Sequence, residues 1–239
     1  MAESTDDSTP VGRRVVLGML GLGALGVMVG APVSRALQGV LGPLQNNDPT
    51  GLTGLLPGAG GWRYYSVTTS QPSVTTETFS LRLSGLVDRP MTVSYADLVA
   101  LPRTRLTRDF QCVTGWRVDD VAWQGVQVRD LLDIAGVAAG ASALRFTSSD
   151  GTYTESLTLD QVRRDDVLVA THMEGAPVTR AHGGPVRLYV ASMYGYKSLK
   201  WLDGIEVTSS VEPGYWEERG YDVDAYVGQS NGRSDPATA

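Results

Sequence analysis

Between positions 79 and 210 the apolar residues fall in short alternating or β-branched runs, with no regular exchange of strand and helix patterns, which argues against a doubly wound parallel sheet. Phe79, Leu81 and Leu83 alternate with polar residues and run into Gly85-Leu86-Val87-Asp88-Arg89-Pro90, a half-buried strand closed by a turn. Ser94 followed by Asp97 predicts an N-cap with an acidic first turn, opening a short helix that stops near Leu101-Pro102. Residues 104–110 alternate again and deliver Cys112 at a strand end, where Gly115 lets the backbone turn. Val128, Leu131, Leu132 and Ala135 keep helical spacing up to Gly136. A hairpin is predicted over 144–157 around Asp150-Gly151, and 167–173, 186–190 and 205–210 supply further strands. The predicted class is α+β, predominantly β, in a single domain.

With 239 residues and 42% hydrophobic content, the chain can bury the core of one domain, of roughly 180 residues. Its net charge of −6 argues against a nucleic-acid partner, which calls for a basic face. Residues 1–36 read as targeting. Arg13-Arg14 precede a weakly hydrophobic stretch, 15–33, that holds five glycines and is followed by Ser34-Arg35-Ala36. Paired arginines there point to the twin-arginine route, hence to a periplasmic or otherwise extracytoplasmic protein. The other reading of 15–33 is a retained membrane anchor, since the run is about long enough to span a bilayer. Gly21, Gly23 and Gly26 match a dinucleotide fingerprint by letters only, because no strand precedes them. Residues 37–61 read as a linker, 62–227 as the domain and 228–239 as a disordered tail.

Cys112 is the only cysteine, so it has no disulfide partner within the chain, and with two histidines it cannot assemble a Cys/His zinc site. One thiolate still suffices as a soft metal ligand when a cofactor brings the remaining ligands. The plain alternative is a small buried thiol packed as a hydrophobe. His182, Arg187, Lys197 and Lys200 gather cations in one stretch of an acidic protein, and together they call for a countercharge. Trp116, Trp123, Trp201 and Trp216 read as core or pocket walls.

These segments, in this order and spacing, resemble the sulfite oxidase family of molybdopterin enzymes, which includes periplasmic methionine sulfoxide reductases. The resemblance runs from about Trp62 to about Tyr226. It rests on the Cys112 segment, Trp123-Gln124-Gly125-Val126, Asp150-Gly151, His182-Gly183-Gly184-Pro185-Val186-Arg187-Leu188 and Tyr194-Gly195-Tyr196-Lys197-Ser198-Leu199-Lys200-Trp201-Leu202. It implies a sulfite-oxidase-type molybdopterin-binding fold and molybdenum-molybdopterin as cofactor, with Cys112 as the protein ligand to the metal. It also implies cofactor contacts at Tyr65, Ser148, His182, Arg187, Gly195, Tyr196 and Lys197, with Lys200 added to them as the fourth of the clustered cations. Tyr221 is implied as a donor on the reacting side, and Arg63 and Arg117 as guanidinium groups facing an oxyanion. Tyr64-Tyr65 follows Arg63 where the sulfite-oxidizing branch has Asn-His, so substrate identity stays open between sulfite and a sulfoxide. A small sulfur-containing substrate and a separate electron partner, either a haem protein or a quinone-linked membrane subunit, complete the expectation. Two other classes stay open from the residues alone: a cysteine hydrolase using Cys112 with His172 or His182, and a non-catalytic β-rich surface module.

Overall fold

The computed structural model of the protein describes residues 61–236. The expected leader, its alternative as an anchor over 15–33, the glycine pattern at 21–26 and nearly all of the expected linker lie outside those residues.

The described chain runs β1 (Ser80–Gly85), β2 (Met91–Ser94), α1 (Tyr95–Ala100), β3 (Thr104–Gln111), β4 (Arg117–Gln127) and α2 (Val128–Ala135). It continues through β5 (Ala143–Ser148), β6 (Thr154–Thr158), α3 (Leu159–Val162), β7 (Val167–Met173), β8 (Ala176–Pro177), β9 (Arg187–Val190) and β10 (Leu202–Thr208). Single 3-10 turns sit at Arg180–His182, Gly195–Lys197 and Glu217–Arg219. One sheet has the order β2-β1-β10-β5-β6; the other runs β3-β4-β7-β8, with β9 also paired to β7. Among the described residues only the β1–β10 pairing is parallel. This is the sheet-rich α+β build predicted from the short alternating runs.

Local chemistry accounts for the helix ends. Ser94 Oγ accepts the Asp97 N–H at 3.1 Å and the Asp97 carboxylate accepts the Ser94 N–H, a capping box that starts α1. Thr158 and Gln161 make the same reciprocal pair at α3. α2 turns Val128, Leu131, Leu132 and Ala135 inward and ends at Gly136, whose φ of 74° suits a residue without Cβ.

β7 and β9 divide the interior. Val167 and Val169 of β7, with Leu188 and Val190 of β9, face a core filled by Leu81, Leu83, Phe146 and Ile205 of the first sheet and by α2. Leu168, Ala170 and Tyr189 face the other way, into an aromatic core with Trp62, Phe110, Trp116 and Trp123. The two-residue period of a strand sorts one continuous apolar run into two cores. Arg187 shares the parity of Tyr189 and so enters the aromatic side, which borders the site.

Two expectations change here. β4 was not among the expected strands; its pairing with β3 shifts register between Arg108 and Phe110, and Asp120 takes φ 54° there. The stretch from 228, expected as a disordered tail, is packed in its described part. Tyr194 donates its hydroxyl to Asp235 at 2.7 Å, Asn231 Nδ2 donates to the Tyr196 hydroxyl at 3.0 Å, and Ser230 is buried and donates to Asp224 O. Polar side chains that find specific partners override a small, polar composition.

Candidate active site

A cavity of about 390 Å³ opens beside the aromatic core, within the usual range for small-molecule sites. Its first wall is the loop that leaves β3. The Cys112 N–H donates to Trp116 O at 2.9 Å and the Gly115 N–H returns to Cys112 O at 3.0 Å, closing a tight turn. Cys112 is half-buried, and its Sγ accepts a hydrogen bond from Thr114 Oγ1 at 3.2 Å. Cys112, Phe110, Thr114 and Trp116 all line the cavity.

The second wall carries the cations. Gly183, at φ 95°, lies so close to Lys200 that a Cβ there would fall 2.6 Å from the lysine Cβ, so only glycine lets the Arg180–His182 turn meet this strand of chain. Arg187 is almost wholly buried and donates to the carbonyls of His182 (2.7 Å), Ser198 (2.7 Å) and Leu188 (3.3 Å). Its guanidinium lies over the rings of Phe110 and Trp123 at 5.4 and 5.3 Å. Lys200 Nζ donates to Ala181 O at 3.0 Å and Tyr65 O at 3.2 Å. Neither cation forms a salt bridge to a carboxylate among the described residues. Burial pulls the Lys200 ammonium down to about 7, with help from the charge of Arg187, and burial alone draws Arg187 down to about 10.

The third wall is the segment 62–67. Trp62 and Tyr64 both reach His182, as alternate residues of an extended chain do: the Trp62 ring centroid is 4.8 Å from the imidazole, and the Tyr64 hydroxyl is 2.9 Å from Nε2. Arg180 holds the continuation of this segment through Pro72 O at 2.7 Å and Gln71 O. Arg63 and Tyr65 line the cavity and are exposed. Gly195, Tyr196 and Tyr221 close the remaining side with Asp150, Tyr153, Tyr215 and Trp216; the Tyr221 ring lies 5.3 Å from Tyr196 and 5.1 Å from Trp216. A Cβ on Gly195 would strike Phe110 at 2.5 Å, so this turn can reach the end of β3 only as glycine.

Nine of the twelve predicted site residues thus line one cavity: Cys112, Tyr221, Arg63, Tyr65, His182, Arg187, Gly195, Tyr196 and Lys200. Three do not. Arg117 is paired with Asp119 at 2.6 Å and Asp109 at 3.6 Å at the start of β4, where neighbouring carboxylates capture it. Ser148 is buried at the end of β5 and accepts the Asp150 N–H at 3.2 Å, so it shapes the turn that carries Asp150 to the cavity. Lys197 turns its ammonium away into two buried glutamates. Tyr64, Thr114 and Tyr153 were not foreseen as site residues; for Tyr64 the alternation with Trp62 was the available signal.

This donor set fits an anionic pterin cofactor. Among the described residues the buried Arg187 and the half-buried Lys200 lack a carboxylate, the buried indole N–H groups of Trp62 and Trp116 lack acceptors, and a thiol shares the same cavity. Fold and site together define a cofactor-binding oxidoreductase domain.

Residues 68–216 match the family described as oxidoreductase molybdopterin binding domain. The chain belongs to that family, the sulfite oxidase family, and is an oxidoreductase with molybdenum-molybdopterin as its cofactor. It is similar to the uncharacterized oxidoreductase YuiH of Bacillus subtilis (strain 168), with 40% identity over 143 residues that make up 60% of this chain and 72% of that one. The sulfite oxidase of Arabidopsis thaliana is 29% identical over 61% of this chain and 46% of its own. The protein-methionine-sulfoxide reductase catalytic subunit MsrP of Campylobacter jejuni is 28% identical over 59% of this chain and 53% of its own. The chain therefore spans about half the length of these last two relatives. The fold is similar to that of the sulfane dehydrogenase SoxCD from Paracoccus pantotrophus, with a TM-score of 0.55 at 23% identity, over 59% of this chain and 41% of that one.

Proposed function

We propose that this protein is an exported enzyme that transfers an oxygen atom, with two electrons, to or from a small sulfur-containing substrate. The observation that carries the reading is the meeting of Cys112 with Lys200 and Arg187 on one cavity, the two cations having no carboxylate among the described residues. When bound, the cofactor supplies the metal centre that exchanges oxygen and electrons. Cys112 would be its protein ligand. Lys200, Arg187 and His182 would hold the anionic, hydrogen-bonding part of the pterin, together with the backbone at Gly195–Lys197. Trp62 and Trp116 would wall off water, and the Tyr221 hydroxyl would donate to the reacting oxygen at the open side.

Two relatives carry the substrate choices in their names, sulfite and protein methionine sulfoxide. Arg117 is held by Asp119, which leaves Arg63 as the guanidinium of the expected pair on the cavity. The rest of the open side is aromatic, with Tyr65, Tyr215, Trp216 and Tyr221. Aromatic faces suit a neutral sulfoxide or thioether better than a doubly charged oxyanion, and we favour sulfoxide reduction on that ground. Export rests on Arg13-Arg14 before the weakly apolar run, and that route carries folded, cofactor-loaded proteins. Among the described residues no helix is long and apolar enough to cross a membrane. Electrons would come from a separate haem protein or quinone-linked membrane subunit. A hydrolase pairing Cys112 with an imidazole fits less well: the His182 Nε2 is engaged by Tyr64, and His172 Nδ1 lies 2.9 Å from Thr171 Oγ1, away from the cavity.

Metal analysis of the full chain, made with its export machinery, is the test. About one molybdenum per chain is expected, with turnover of a methionine sulfoxide under an artificial electron donor. Cys112→Ser should lose turnover by roughly a thousandfold or more while keeping the pterin. A metal-free protein whose activity disappears on thiol alkylation would instead establish the hydrolase.

A further inference from the structure

Lys197 is as deeply buried as any described residue, and its Nζ bridges two carboxylates, Glu155 Oε1 at 2.5 Å and Glu217 Oε1 at 2.6 Å, with Ser156 O at 2.9 Å. Both glutamate side chains are also buried. The second oxygen of each, Glu155 Oε2 and Glu217 Oε2, is buried with no hydrogen-bond partner. Two ionised carboxylates and one ammonium would leave a net negative charge in this interior and two orphaned acceptors, a combination that interiors do not tolerate. A single proton answers both problems, because it neutralises the cluster and supplies a donor between two carboxyl groups whose side chains lie within hydrogen-bond reach of each other.

We propose that Glu155 and Glu217 hold one proton between them, and that with Lys197 they form a neutral, buried clamp that positions two walls of the cavity relative to each other. The three residues come from three separate places. Glu155 is on β6, Lys197 ends the Gly195–Lys197 turn whose Gly195 and Tyr196 line the cavity, and Glu217 opens the turn that leads from Trp216 to Tyr221. The clamp therefore joins the cofactor side to the substrate side; this assignment of sides rests on the function proposed above. Gly214 shows how closely the last turn is drawn in, since a Cβ there would meet Glu217 Oε2 and Thr154 O at 2.6 Å.

The other titratable groups against the pair are Tyr153 and Tyr196. Burial, reinforced by both glutamates, holds each phenol above its ordinary range, so neither supplies charge to the cluster. Burial likewise raises the Glu155 carboxyl well above the usual carboxylate range, against the pull of Lys197. That direction is the one a retained proton requires, and the Glu155 proton is lost as pH climbs through its raised value.

The experiment is infrared difference spectroscopy on the full-length holoenzyme, with and without 13C-labelled glutamate. A protonated-carboxyl band at neutral pH that shifts with the label and disappears in both Glu155→Gln and Glu217→Gln is expected. An amide is a neutral isostere of the protonated acid. Each single variant should therefore lose less than about threefold in kcat/KM, and the double variant, which leaves the ammonium without a carboxylate, should lose at least about thirtyfold. The alkaline limb of kcat/KM that this pair contributes should also vanish in each single variant. Absence of the labelled band in the wild-type protein overturns the proposal even if neither variant folds. Equal losses in the single and double variants overturn it as well. Molybdenum content measured on the same samples separates the two ideas: a loaded enzyme without the band refutes the clamp alone, and a metal-free chain refutes the function.

Discussion

Lys197 and Lys200 stand three residues apart, the first buried and the second half-buried at the cavity wall, and they face opposite electrostatic worlds. Lys197 meets two glutamates and is satisfied inside the protein. Lys200 meets two backbone carbonyls and the repulsion of Arg187, and its charge is left to be answered from the cavity. A buried cation is evidence for a ligand only when the fold fails to neutralise it. Residue type and spacing treat the two alike; the three-dimensional partners separate them.

The largest way to test that contrast is through stability. Lys197→Met leaves two glutamates without their ammonium, and a loss of about 3–5 kcal/mol in urea unfolding is expected. A loss no larger than that of a surface lysine would mean the cluster is not self-neutralised. Lys200→Met should act in the opposite direction on the cofactor-free protein, raising its melting temperature by about 2–4 °C for each kcal/mol relieved. In the same variant, and in Arg187→Ala, cofactor loading should fall by about tenfold or more. Unchanged molybdenum content in both would contradict the role given to this wall.

The pH dependence sharpens the point. In the ligand-free fold Lys200 loses its proton at about 7, below its ordinary value of 10.5. Between those values the unfolded chain holds a proton that the folded one has released, so this group's contribution to folding stability rises with pH across that window. Binding an anion recharges the amine and takes up a proton, so affinity should run the other way and weaken above about 7. Inorganic phosphate titrated into cofactor-free protein by calorimetry measures this, and Lys200→Met should flatten the profile. The smallest effect concerns the two arginines. With Arg63 in the substrate-facing role proposed for it, Arg63→Ala should raise KM by about tenfold, as the loss of one hydrogen bond of roughly 1.4 kcal/mol would, whereas Arg117→Ala, removing a partly exposed ion pair, should stay within about twofold.

Much of this was legible beforehand, for identifiable reasons. The alternation of Leu81 and Leu83, the Ser94–Asp97 box and the Gly136 stop are local signals, and they appear where local chemistry puts them. The cation stretch was legible as a group because four positive side chains in an acidic chain need a partner. What stayed hidden depends on contacts distant in sequence. Lys197 finds Glu155 and Glu217 at separations of 42 and 20 residues. Arg117 is drawn off by Asp109 and Asp119, and the polar stretch after 228 is pinned by Tyr194 and Tyr196. β4 carries a bulge of its own, where the positive φ of Asp120 interrupts the pairing with β3.

β7 serves two interiors with one run of backbone, and this sets a gradient of rigidity across the molecule. Its amides lie between β4 and β9 with side chains packed on both faces, so they should exchange with deuterated water only when the whole domain opens. Residues 63–67, partly or fully exposed and outside both sheets, should exchange orders of magnitude sooner, while Trp62 beside them stays anchored in the aromatic core. The candidate pocket is therefore expected to combine a floor as durable as the protein itself with a rim, at 63–67, that exchanges long before the domain unfolds.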